Sequence, residues 1–162
     1  MRTTIYLSTA AMLLTTALAV PAAAQKRVPF KGSLQGHEID TPQGGPPPTT
    51  LNAVGSTTGI ASHVGQFSFT YQLTVTLANG TATGSGHLIA ANGDSVYTTI
   101  TGSSDVTTPG LVRIMEIDTI TGGTGRFAEA QGSFTVERLV TLATGVTSGS
   151  FNGTITSPGA AH

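Results

Sequence analysis

Three charged residues in the second half of the chain lie in phase with apolar side chains. Apolar and polar residues alternate along 132–142, where Arg138 takes an apolar position and Leu139 a polar one. Glu116 and Asp118 stand at apolar positions of the preceding segment. Burying a guanidinium without a partner is very costly. We therefore expect an inward Arg138–Glu116 pair with Asp118 nearby. The alternative is a β-bulge that turns Arg138 to solvent.

Two further side chains complete the candidate set. Tyr71 lies at an apolar position of its own segment, and a buried hydroxyl requires a partner. His63 comes just before that segment, where a histidine can serve as acid, base or ligand near neutral pH; a hydrogen-bonded structural histidine is the alternative. The predicted ligand-binding residues are Glu116, Arg138, Tyr71 and His63. We predict no catalytic residue, no cofactor and no metal site, since His63 has no second histidine or carboxylate at metal-ligand spacing.

The segments that carry these residues read as antiparallel strands. Strict alternation along 67–77 predicts a strand with one buried face, and turns containing Gly or Asn separate such segments. Four prolines in 41–50 indicate a loop. The predicted strands are 28–34, 51–58, 67–77, 81–91, 95–101, 111–121, 132–142 and 146–156.

One hairpin motif occurs twice in the sequence. The letters SFT at 68–70 recur at 133–135. The letters TLA at 76–78 recur at 141–143, and both copies of TLA are followed two residues later by a turn glycine. Chance likeness between Gly/Thr-rich strands is the alternative to a duplication, and a sandwich is the alternative to a barrel. Because closure removes exposed sheet edges, we predict an all-β, antiparallel eight-stranded barrel built from two similar halves.

The first 24 residues have the layout of a secretory signal peptide. Arg2 supplies the positive start, 5–20 is apolar, and Ala24 ends an Ala-x-Ala cleavage site. We therefore predict a signal peptide at 1–24, a single β-barrel domain at 25–162, and a secreted or periplasmic location. The chain has no cysteine, so a core of this size must hold without disulfides.

The charge pattern argues against two classes of partner. Only 9% of the residues are charged, and the one basic cluster lies near the predicted new N-terminus, so we expect no nucleic-acid binding. A membrane-spanning barrel would need aromatic girdles, and the chain has no Trp and three Tyr, so we expect no membrane insertion. A homo-oligomer is left open.

Two resemblances add to this interpretation. The segments GIASHVGQF at 59–67, ANGD at 91–94 and ITGGTGRFA at 120–128 resemble a group of uncharacterised secreted bacterial β-barrel proteins, which carry no known activity. More distantly, GGTGRF at 122–127 followed by AQG at 130–132 resembles the signature of plant dirigent proteins, which are similar to allene oxide cyclases. That resemblance implies an eight-stranded barrel with an apolar cavity, and it carries over no catalytic residue.

Three functions are compatible with the sequence. The first is a secreted barrel that binds a small apolar ligand in its mouth or lumen, with the four candidate residues supplying polar contacts. The second is a structural or surface barrel with no ligand. The third is a cyclase- or dirigent-like enzyme that orients a reactive intermediate. A continuous cavity distinguishes the first and third functions from the second.

Overall fold

The protein is a closed β-barrel. The computed structural model describes residues 26–156, so the predicted cleavage site after Ala24 lies outside the described residues. Each strand pairs antiparallel with the next, and the last strand closes on the first, which confirms the predicted all-β, antiparallel eight-stranded barrel. The strands are β1 (Arg27–Gln43), β2 (Thr50–Ala61), β3 (Gly65–Thr76), β4 (Thr81–Ala90), β5 (Ser95–Thr108), β6 (Leu111–Gly123), β7 (Gln131–Thr141) and β8 (Val146–Thr156), with a 3-10 helix at Gly125–Phe127.

Side chains alternate between the lumen and the outer wall as the period-two pattern predicts. On β3 the inward residues Phe67, Phe69, Tyr71 and Leu73 are all buried. On β7 the inward set includes Arg138, while Leu139 faces outward and is 41% exposed. Among the described residues, no helix is long and apolar enough to cross a membrane.

Several predicted boundaries were wrong. β1 continues to Gln43 rather than ending near 34, because its second half pairs with β2 in unbroken register. The loop therefore begins at Gly44, not at Thr41, and Pro42 lies within the last residues of β1. The turn residues Leu77 and Leu142 continue the apolar phase in the sequence, yet both are exposed since their strands end one residue earlier.

The lumen has an aromatic half and a charged half. Phe30, Phe67, Phe134 and Phe151 lie toward the end where β2 joins β3 and β6 joins β7, with Phe30, Phe134 and Phe151 packed at ring-centroid distances of 5.0–5.2 Å. Edge-to-face and tilted packing of this kind adds to the burial energy of the rings. The inward residues Glu38, Glu116 and Arg138 lie nearer the opposite end, with Arg138 three residues from the end of β7, whereas Asp118 pairs with Phe134.

Candidate functional site

Arg138 points into the lumen and is paired there. Its Nε and Nη2 donate to the two carboxylate oxygens of Glu116, at 3.1 Å and 2.9 Å. Two parallel bonds of this kind form the strongest geometry available to an arginine and a carboxylate. The side chains of Arg138 and Glu116 are 1% and 6% exposed, so this ion pair is buried. The expected inward pair is confirmed, and the alternative with Arg138 in solvent is wrong.

A second carboxylate completes the coordination of Arg138. Glu38 on β1 accepts from Nη1 at 2.8 Å, and Thr147 on β8 accepts from the same nitrogen at 3.3 Å. Tyr71 on β3 donates its hydroxyl to Glu38 at 2.8 Å, and its ring lies 4.8 Å from the guanidinium carbon. This arginine network, Arg138 with Glu116, Glu38, Tyr71 and Thr147, therefore links five of the eight strands across the lumen.

Glycines on neighbouring strands make room for the arginine network. Gly149 pairs with Arg138, and a Cβ at Gly149 would lie 2.6 Å from the Arg138 Cβ. Gly55 pairs with Tyr71, and a Cβ there would lie 2.0 Å from the Tyr71 ring. Since real Cβ contacts are longer than 3 Å, these two positions exclude any larger residue while the network keeps its geometry.

Burial and charge shift the pKa values within the network. Burial raises the pKa of Tyr71, and the charge of Glu38 raises it further despite the opposing charge of Arg138. Burial acts to lower the pKa of Arg138, but hydrogen bonding to Glu116 and the nearby negative charges outweigh it and raise the pKa. Tyr71 therefore stays a neutral donor and Arg138 stays a cation at any physiological pH.

Asp118 lies beside the network without bonding to Arg138. Its side chain is fully buried; one carboxyl oxygen accepts from the hydroxyl of Thr98 at 3.1 Å, while Oδ1 has no hydrogen-bond partner among the described residues. Burial and the negative charge of Glu116 raise the pKa of Asp118 to about 8. At neutral pH this shift favours the protonated, neutral form of Asp118, which is the form that costs less to bury.

His63 lies apart from the other three candidates. It occupies the turn between β2 and β3 with a left-handed backbone, φ 66°, at the end of the barrel opposite the arginine network. The structure therefore brings Glu116, Arg138 and Tyr71 together and leaves His63 outside. Within residues 26–156, no group of three or more histidine, aspartate or glutamate side chains is arranged to hold a metal ion.

Glu38 and Thr147 are the network members that sequence reasoning missed. Glu38 was overlooked because the first strand was predicted to stop near 34. A signal was present: Phe30 and Leu34 fix the inward phase of β1, and Glu38 continues it at the same spacing. No comparable signal marks Thr147 in the sequence, since threonines occur on both the inner and the outer faces of these strands.

The arginine network is better suited to holding strands together across the lumen than to acting on a substrate. Arg138, Glu38 and Glu116 are nearly inaccessible to solvent and satisfy one another, so a substrate would first have to open the network. Neither the family models nor the curated proteins compared with this chain gave a match.

Proposed function

We propose that the protein is a secreted or periplasmic structural β-barrel whose lumen is filled by its own side chains, and which acts through its outer wall. One observation carries this proposal. Among the described residues, an apolar cavity inside the barrel between Phe67, Phe69, Phe134 and Phe151 has a volume of about 10 Å³. That is about the space for one water molecule, whereas sites for drug-sized ligands occupy roughly 300–1,000 Å³.

The polar residues of the lumen support the same conclusion. A ligand-binding function would need Tyr71, Glu116 and Arg138 to offer free hydrogen-bonding groups to a guest. Instead, the Tyr71 hydroxyl is bonded to Glu38, and the Arg138 guanidinium is bonded to both carboxylates. A small apolar ligand would have to displace packed phenylalanines or break these bonds. The structural barrel is therefore favoured over the apolar-ligand barrel.

Export is the second part of the proposal, and it rests on the signal-peptide pattern at 1–24. Expression of the whole chain in an exporting bacterial host, followed by N-terminal sequencing of the extracytoplasmic product, tests it. We expect the product to begin at Gln25. A product that keeps Met1 and remains in the cytoplasm would contradict export.

A probe of the lumen tests the structural proposal. A small fluorescent apolar probe should not bind the purified protein, and native mass spectrometry should give the mass of the polypeptide alone. The variant Phe151→Ala is a positive control, because it removes a buried ring and leaves a cavity in the aromatic half. One apolar probe bound per wild-type molecule, or a stoichiometric co-purified apolar molecule, would overturn the proposal.

A further inference from the structure

An open groove crosses the outer wall of the barrel from β2 to β6. Its volume is about 540 Å³, and its floor includes His87 on β4 and Tyr97 on β5. These two residues pair across the strands and their rings stack at a centroid distance of 4.7 Å and an interplanar angle of 25°. Tyr97 is 41% exposed. Each ring covers one face of the other, so the part of the pair open to the groove is what this stacking leaves exposed, chiefly on Tyr97; the stacked pair is here called the aromatic platform.

A β-bulge orients the platform. The pairing of β5 with β6 shifts between Tyr97 and Thr98, so Thr121 is left as an extra residue. The Thr121 hydroxyl donates to the Tyr97 carbonyl at 3.3 Å, and Gly122, which pairs with Tyr97, brings no side chain against the ring. Bulges re-aim side chains in this way and are common near binding sites.

Neutral hydrogen-bonding groups surround the platform. Thr70 pairs with His87, and the next outward row runs through Gln72, Ser85 and Thr99. Gln72 donates its amide to Asn52 at 3.2 Å, which fixes one side of the groove. The residues that line the groove include hydroxyl, amide and imidazole groups but no carboxylate, lysine or arginine. Nε2 of His87 has no hydrogen-bond partner among the described residues, but this atom is inaccessible to solvent, so the hydroxyl and amide groups around it are the ones open to a ligand.

We propose that this groove is a binding site for a neutral saccharide chain. A sugar ring has an apolar face of C–H groups that packs on an aromatic ring and an edge of hydroxyls that pair with neutral donors and acceptors. The groove offers both in adjacent rows. Nucleic acid and acidic saccharides both need lysine or arginine side chains to bind their negative charges. No lysine or arginine is among the residues that line this groove. The inference deepens the proposed function, since it assigns a ligand class to the outer wall.

Calorimetric titration of the purified protein with neutral hexasaccharides tests the site. The probes are maltohexaose, cellohexaose, xylohexaose and chitohexaose, each at concentrations up to about 10 mM, where even weak sites fill. We expect at least one to bind. The variant Tyr97→Ala should weaken that binding at least about tenfold, as loss of a central aromatic contact does, while Tyr97→Phe should keep it. Leu139→Ala, which changes a similarly exposed apolar residue on β7, is the matched control and should bind as the wild type does.

Two results would overturn the inference: no binding by any of the four probes, or binding that Tyr97→Ala leaves unchanged. These failures are distinct from failure of the structural proposal. An apolar probe in the lumen of the wild type would refute the filled-lumen proposal without touching the groove. Saccharide binding lost in Phe151→Ala but kept in Tyr97→Ala would place the sugar in the lumen and contradict both.

Discussion

Removing Arg138 alone should cost far more stability than removing the whole ion-pair set. In Arg138→Met, the carboxylates of Glu38 and Glu116 stay in place with side-chain exposures of 5% and 6% and lose their cation. Leaving a buried charge without its partner costs about 3–5 kcal/mol. Domains of this size have about 5–15 kcal/mol of total stability. The single change should therefore remove a large part of the free energy of unfolding.

The triple variant Glu38→Leu/Glu116→Leu/Arg138→Met removes all three charges together. Replacing a buried ion cluster by apolar residues of similar size is often neutral or stabilising. With Tyr71→Phe added, because the buried Tyr71 hydroxyl would otherwise lose its acceptor Glu38, we expect its free energy of unfolding to lie within about 1 kcal/mol of the wild type, after allowance for the small loss of side-chain volume where methionine replaces Arg138. The contrast between the single variant and this combined variant isolates the cost of unpaired charge from the cost of changed packing.

Urea unfolding followed by circular dichroism measures both variants, because the chain has no tryptophan to serve as a fluorescence probe. With a urea dependence of about 1–3 kcal/mol per M, the single variant should lower the midpoint by more than about 1 M. Arg113→Met, on the outer face of β6, is the matched control and should change stability by less than about 0.5 kcal/mol. A single Arg138→Met variant as stable as the Arg113→Met control would refute the buried network.

Two further predictions concern the neighbours of the network. The pKa of Asp118 is raised from an ordinary 3.8 to about 8, so between these two pH values the folded state holds a proton that the unfolded state has lost. The contribution of this proton to stability is complete below about pH 4 and is lost as the pH rises through about 8. Between pH 5 and 7, Asp118→Asn should reduce the fall in stability with pH by up to about 1.4 kcal/mol per pH unit, measured by urea unfolding at each pH; a slope equal to that of the wild type would show that Asp118 is ionised. Part of the slope should remain in the variant, since burial and the charge of Glu38 also raise the pKa of Asp40. Gly55→Ala should destabilise the fold by at least about 1–3 kcal/mol, because the new methyl group would overlap the Tyr71 ring. The outward-facing neighbour Ser56→Ala is its control, and equal thermal midpoints for the two variants would contradict the close contact.

The barrel was predictable from the sequence because its strands obey a simple rule. Period-two alternation together with the turns between segments located all eight strands, and the phase of that alternation placed Arg138, Glu116 and Asp118 on the inner face. The ends of β1 and β5 were less predictable, since both strands run on through polar residues whose outward or terminal positions carry no apolar signal. Pairing with a neighbouring strand, not side-chain pattern, extends them.

The partners within the lumen were only partly predictable. Phase shows which way a side chain points but not which strands face one another across a closed barrel. Glu38 reaches Arg138 from β1, a strand that does not pair with β7, and Tyr71 reaches Glu38 from β3. The separation of His63 from the cluster also follows from closure, which puts its turn at the far end. The bulge at Tyr97 left no clear pattern in the sequence.

The most direct test of the filled, sealed lumen is hydrogen exchange at the Arg138 guanidinium. In a nitrogen-labelled sample, the Arg138 Nε–H signal is assigned by its loss in Arg138→Met. Because this group is buried and bonded to Glu116, we predict a distinct signal that exchanges with solvent far more slowly than that of the exposed Arg113. An Arg138 signal that exchanges as fast as that of Arg113 would contradict the account.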